Sequence, residues 1–277
     1  MSAHSASQTN QRKEVVDVSR NAQGIWRDEV YQRQEDGSEI LLSASKKRHN
    51  LITEPFTVLI PALLANDPGL SGGILYHAIG TGDETWDTSG IPQPNKFDRT
   101  LLNETSRLSP DGIVYLKWGE GKAHSGTATT IVDPSRIAEE GLVGRFEPDG
   151  FFIGMQVEIV SGTNVGETRQ IIDYEQSLGR ITVDTPFTAP IDSTSEYEFI
   201  PQVTTERTNV IEIRTSWDYG HPSDEFNFTY IREQGLFGGV ATEDKDTGYM
   251  LDRITHERIW KDPTIRIVRF IDLVFKI

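Results

Sequence analysis

The chain has 277 residues, so one large domain, or two moderate ones with appendages, is expected. A net charge of −15 opposes binding to a phosphate backbone, which needs Lys and Arg to displace condensed counterions, and no nucleic-acid partner is expected. The absence of cysteine excludes disulfides, thiol nucleophiles and cysteine-ligated zinc or iron–sulfur centres, leaving packing and association to supply stability.

Residues 1–45 carry few large apolar side chains among mixed charges, Ser, Gln and Asn, and read as an extended N-terminal arm. Val15, Val16, Val18, Ile25, Trp26, Val30, Tyr31, Ile40, Leu41 and Leu42 are spaced along it like short anchors, suited to lying across a neighbouring subunit. The alternative is a disordered terminus. The first residues are polar with no apolar stretch behind them, and no later run is long enough to cross a bilayer, so neither secretion nor membrane insertion is expected.

One short helix is expected after residue 50: Thr53 or Asn50 to cap it, Pro55 in its first turn, Pro61 to kink it, and Pro68-Gly69 to stop it. Ile74 to Ile79 then form a strand ending in a Gly80-Thr81-Gly82 turn. Residues 83–99, rich in Asp, Thr, Pro and Asn, read as a long loop. Residues 113–118 read as a strand, and a Gly, Ser and Thr cluster follows at 119–130.

From 131 to 202 the pattern is that of a self-contained small β module. Strands at 155–160, 168–172, 180–184 and 196–200 alternate around Ser161-Gly162-Thr163-Asn164 and similar turns. This stretch has thirteen Asp and Glu against four Arg, a net −9, and so holds most of the chain's negative charge. Strong alternation returns at 209–217, around Phe226, Phe228 and Tyr230, and at 265–275. Strands before 131 and after 202 need partners, which implies one discontinuous core carrying an inserted acidic module. The expected fold is mainly β (α+β), an antiparallel sheet core with one short helix. The expected division is an arm at 1–45, a first core segment at 46–130, the inserted module at 131–202 and a second core segment at 203–277.

No constellation satisfies a known chemistry. His77, His124, His221 and His256 lack metal-ligand spacing. Ser125 beside His124 lacks the flanking glycine of a nucleophile elbow, since Ala123 stands there. Gly119-Glu120-Gly121-Lys122 resembles a phosphate loop but has Leu116 and Ala123 at two obligatory positions. Gly80-Thr81-Gly82 lacks the third glycine of a dinucleotide loop, where Thr85 stands. Asp83, Glu84 and Asp87 lack the glycine and distal glutamate of a calcium loop. Asp133 with Glu139 and Glu140, or Glu147 with Asp149, would be the carboxylate pair of a wall-degrading glycosidase, but no aromatic groove is visible around them. No catalytic, cofactor-binding or metal-ligating residue is assigned, no cofactor is expected, and the chain is read as a non-enzyme.

Several segments together resemble a family of phage tail and baseplate structural proteins. They are Asn50-Leu51-Ile52, Ala78-Ile79-Gly80-Thr81-Gly82, Thr100-Leu101-Leu102-Asn103-Glu104 with Arg107, Glu233-Gln234-Gly235-Leu236-Phe237-Gly238, and a strand ending Asp272-Leu273-Val274-Phe275. They are collinear with the family pattern over roughly 48–118 and 205–277. The inserted stretch, with Gly154-Met155-Gln156-Val157, Gly166-Glu167-Thr168-Arg169 and Thr194-Ser195-Glu196-Tyr197, resembles a small β module that recurs in phage virion proteins. The resemblance implies a structural virion protein made in the host cytoplasm, a baseplate or tail-tip component linking tail to fibres. Its partners would be baseplate, tail-tube or fibre subunits and copies of itself in a ring. The alternatives are a neck or collar connector, or a receptor-binding module that recognises carbohydrate through Trp86, Trp118, Trp217 and Tyr219; core and subunit packing is the favoured role for those aromatics.

Overall fold

The computed structural model describes residues 22–65, 67–70, 72–137, 147–222 and 228–275. In chain order the first elements are β1 (Ala22–Arg33), β2 (Glu39–Ala44), β3 (Arg48–Ile52), α1 (Glu54–Leu64), β4 (Ile74–Gly80), α2 (Trp86–Ser89), β5 (Glu104–Leu108) and β6 (Gly112–Lys117). Then come β7 (Glu120–Lys122), β8 (Ser125–Gly126), β9 (Thr130–Val132), β10 (Gln156–Ser161), β11 (Thr168–Glu175), β12 (Arg180–Val183) and β13 (Glu196–Phe199). The last are β14 (Gln202–Thr204), β15 (Val210–Trp217), β16 (Thr229–Gly238), β17 (Tyr249–Met250), β18 (Asp252–Lys261) and β19 (Ile265–Phe275). The chain is mainly β with antiparallel pairing, as its alternating sequence predicts.

Two sheets divide these strands. The larger runs β14-β6-β15-β19-β1-β3-β18-β16-β4-β5, with β2 added to β1 and β17 to β16. The smaller runs β7-β13-β10-β11-β12-β9-β8. Strands on both sides of the insertion thus complete one sheet, and β14 returns to pair with β6 immediately after the module.

Residues 22–44 are sheet, where the composition predicts an arm. β1 lies between β19 and β3 and pairs with β19 from Ala22↔Phe275 to Gln32↔Ile265. Its polar residues mask the periodicity: Arg27 and Glu29 alternate with an inward row of Ala22, Trp26, Asp28 and Val30, one of which is itself charged. The expectation for Val15, Val16 and Val18 lies outside the described residues. The inserted module also begins earlier than residue 131, because β7, β8 and β9 belong to its sheet. These strands are two or three residues long and rich in small side chains, too short to show a period.

Helix α1 starts after Thr53, has Pro55 in its first turn, and continues through Pro61. Thr53 does not cap it by its side chain; its hydroxyl donates to the Met250 carbonyl instead. Asn50 lies in β3 and donates to Asp252. A second, four-residue helix, α2, interrupts the stretch expected to be loop.

The halves of the large sheet face each other across a shared interior. His77 on β4 meets Thr215 on β15, and Gln234 on β16 and His256 on β18 both meet Arg269 on β19. Two apolar clusters fill this space. One holds Trp26, Ile213, Leu236, Ile254 and Ile271, the other Val30, Ile79, Trp217, Ile231 and Ile267.

The module has a core of its own, in which Phe152, Tyr174, Tyr197 and Phe199 join Val157, Ile159 and Ile171. None of its residues belongs to the large sheet's clusters. Its turn at Gly162 requires glycine twice over: φ is +78°, and an added Cβ would lie 2.0 Å from the Thr194 carbonyl oxygen. Gly162→Ala is expected to cost at least about 2 kcal/mol, from left-handed strain together with a backbone clash. A thermal melt showing a loss under about 0.5 kcal/mol would mean that the turn relaxes freely.

Candidate functional site

Between the two apolar clusters runs a layer of polar side chains. Asp28, Thr215 and Arg269 stand side by side across β1, β15 and β19, since both Asp28 and Thr215 are register partners of Arg269. His77, Gln234 and His256 complete the layer from the opposite half of the sheet. All six are buried.

Arg269 organises the layer. Its Nε lies 2.9 Å from Asp28 Oδ1, one terminal nitrogen donates to Gln234 Oε1 at 2.7 Å, and the other meets His256 Nε2 at 2.9 Å. Because that guanidinium nitrogen can only donate, His256 Nε2 is an acceptor and its Nδ1 carries the proton, which points to the Glu257 carbonyl at 2.7 Å. His77 bridges Thr215 Oγ1 at 3.1 Å and Gln234 Oε1 at 2.9 Å. Burial, together with the Arg269 charge, holds both imidazoles neutral, His77 down to about 3 and His256 well below its ordinary value. Both nitrogens of each ring are engaged, so neither imidazole offers a free base to a substrate.

The layer borders a slot of about 490 Å³ that opens to the surface between β2 and the second half of β18. Trp26, Asp28, Val30 and His256 line it from the interior, with Leu42 and Trp260 on its sides. β18 pairs with β3 only at Asp252 and Arg253, and β2 pairs only with β1. Two strand edges therefore flank the slot without pairing across it. Asp28 lies 3 % exposed, and its Oδ2 accepts no hydrogen bond among the described residues. Burial raises this carboxyl despite the Arg269 charge beside it.

A second feature is the seam between module and sheet. Glu198 on β13 accepts from Trp118 Nε1 at 2.9 Å and from Lys47 Nζ at 2.5 Å, tying the module to the large sheet. Glu198 also stands between Glu120 and Glu158 as a cross-strand neighbour, an arrangement of like charges that Lys47 offsets. On β19, Asp272 faces Glu212 of β15. Burial, then the Glu212 charge, pushes the Asp272 carboxyl up to about 6. In the sheet interior, burial pushes Asp252 up to about 7.

A carboxyl whose folded value exceeds its unfolded one favours the folded state most below the unfolded value and loses that contribution as pH rises through the folded value. Stability is therefore expected to fall as pH rises from about 4 to about 7. Asp272→Asn should make this slope shallower between about pH 4 and pH 6 and leave the fall between about 6 and 7, which Asp252 supplies, as read from denaturant unfolding across that range. An unchanged slope would remove Asp272 as its source.

The sequence candidates for chemistry separate. His77 and His256 belong to the buried layer above; His124, Ser125 and His221 are exposed. Glycines 119 and 121 seat the buried Arg136: a Cβ on Gly121 would lie 2.3 Å from Asp133 Oδ2 and 2.5 Å from the Tyr197 hydroxyl. Asp133 and Glu147 do come together, around Arg136. One Arg136 nitrogen donates to both Glu147 oxygens at 2.9 and 2.8 Å, and Tyr197 donates to Asp133 at 2.7 Å. Both hold Arg136 in the module core, and Glu147 also borders a groove of about 550 Å³ beside Trp118 and Tyr197 that Asp133 does not line. Asp149 accepts from the Gln176 amide, and Glu139 and Glu140 lie outside the described residues.

Asp87 holds Arg232 and Arg258, while Asp83 accepts from the Thr85 amide. Among the described residues no group of three or more His, Asp or Glu is placed to hold a metal ion. Of the four aromatics, Trp217 is fully buried, Trp118 and Tyr219 nearly so, and Trp86 packs on Gly82.

Residues that carry the family resemblance do fall together, in structural contacts. Gly80 lets the Asn103 carbonyl and the Glu233 carboxylate approach, to 2.7 and 2.8 Å of where a Cβ would be. Glu233 accepts from the Leu102 and Asn103 amides and pairs with Arg253 at 2.7 Å. Glu104 and Arg107 form a two-fold hydrogen-bonded pair, with Arg107 4.5 Å above the Phe237 ring.

Sequence reasoning missed Asp28, Arg269 and Asp272. A signal existed for Arg269, which interrupts the inward row Ile265, Ile267, Ile271 and Leu273 of an otherwise apolar strand. No protein-family model matches the chain, and no curated protein is significantly similar to it.

Proposed function

We propose that this chain is a structural subunit of a phage tail, a baseplate or tail-tip component that links tail to fibres through subunit contacts. What carries the reading is β2. Every residue of this strand is exposed, three consecutive large apolar side chains among them, Ile40, Leu41 and Leu42 at 46, 54 and 48 %. An exposed apolar edge strand is a template for pairing with another chain and a hazard for a protein that works alone. The bonds that Arg269, His77, His256 and Arg136 make support the same reading, since they are internal and hold the sheet and the module. The motifs behind the resemblance to tail proteins likewise serve packing.

The test is a reconstruction of purified tailed particles carrying a gold-binding tag on this chain. Density in a ring at the tail tip or baseplate is the expected result. Particles that lack the chain overturn the reading. A position in the neck would move it to a connector, and one at a distal fibre tip to receptor binding.

A further inference from the structure

Helix α1 carries no charged residue from Pro55 to its end at Leu64. One side of it packs inward through Pro55, Phe56 and Leu59. The other side is apolar as well, with Val58, Leu63 and Leu64 exposed at 55, 36 and 80 %. A helix at the surface ordinarily turns charged residues to the solvent, and one that is hydrophobic all round is ordinarily covered on every side. The outer face of α1 is therefore a docking surface in want of an occupant.

The chain itself enters the fold beside this helix. Ala22, at the start of β1, belongs to the same apolar cluster as Phe56 and Leu59. Its register partner Phe275 stacks on Phe56 with ring centroids 5.9 Å apart. β1 and β3 are antiparallel with Gly24 opposite Asn50, so the N-terminal end of β1 lies where β3 passes into α1.

We infer that residues 15–18 of the same chain, Val15-Val16-Asp17-Val18, cover the outer face of α1. Between residues 2 and 21 these three valines are the only large apolar side chains. Val18 precedes Ala22 by four residues and Val15 by seven, so they reach at most roughly 14 and 25 Å from it. The 11 residues of α1 span roughly 16 Å along the axis. Val58, Leu63 and Leu64 thus lie within reach of the valines of their own copy, and the occupant needs no neighbour to deliver it. Burying valine against valine and leucine takes apolar surface of both out of water, which is the driving force of the contact. The contact is independent of the chain being a tail component.

Because the chain has no cysteine, a pair can be introduced without competing thiols. Glu14→Cys with Ala65→Cys, in the full chain, leaves all three valines and Leu64 in place. After treatment with a short bismaleimide, peptide mass mapping is expected to find residues 14 and 65 linked within one copy. The rate should be unchanged on dilution and about tenfold above that of Glu14→Cys with Arg207→Cys. Arg207 is exposed and stands two residues before Asn209, whose side chain donates to the Phe275 carbonyl, so the reference is also close to the start of β1 but belongs to another element. Equal rates for the two pairs overturn the proposal, as do links that form between copies and slow on dilution. Adding Val16→Ser and Val18→Ser to the first pair is expected to lower its rate about tenfold, to that of the reference, by removing the apolar contact. A rate unchanged by those serines would show that tethering alone brings residues 14 and 65 together, and overturns the proposal too.

Discussion

Arg269→Met is expected to lower the free energy of unfolding by about 3–5 kcal/mol, read from the denaturant midpoint at neutral pH. The arginine partners Asp28, Gln234 and His256 at once, so its removal strands a buried carboxylate, leaves His256 Nε2 without its donor and takes one of two partners from Gln234 Oε1. Because burial already raises Asp28, the loss should be smaller in mild acid, where that carboxyl takes up a proton. Pairing the change with Asp28→Leu should recover most of the loss, since apolar replacement of a whole buried ion pair is often near neutral. A double variant as unstable as the single one would show that packing around Arg269, not its charge, is what matters. The layer also sets strand alignment. Slipping β19 by one residue would carry Arg269 out of the interior and aim Phe270 and Asp272 into it.

Arg136→Ala should have an effect of similar size, about 3–5 kcal/mol, but confined to the module. Arg136 is fully buried, donates to Glu147 through one nitrogen, to Tyr197 through Nε and to the Glu120 carbonyl through the other, and lies 4.8 Å from the Phe199 ring. Removing it leaves Asp133 and Glu147 facing each other's surroundings without the cation that holds them. Since the module's core shares no residue with the large sheet's clusters, amide exchange should quicken in β10 to β13 while β15, β16 and β19 keep their protection. Equal loss of protection in both sheets would show that the module and the large sheet unfold as one unit.

Legibility in the sequence followed side-chain alternation. β19 and β15 were readable because their rows of Ile, Val and Trp recur with period two over eight residues or more. The module's strands were readable for the same reason, helped by Gly162, whose turn only glycine suits. β1 was not, because its inward row contains Asp28 and its outward row Arg27 and Glu29, so a central strand has the composition of a polar arm. The charge at Asp28 is tolerable only beside Arg269, 241 positions further along the chain.

Composition and pattern by themselves determined that the chain is mainly β, that it has no cysteine chemistry, and that an acidic module interrupts a split core. These are local properties, set by residue type and spacing. Tertiary structure alone decided that Asp28, Arg269, His256, Gln234 and His77 form one layer, that Asp133 and Glu147 serve Arg136, and that a slot lies open beside β2. Each depends on which strands become neighbours. Ladder pairing brings together residues hundreds of positions apart, and the energy of a buried charge is settled by the partner it meets there.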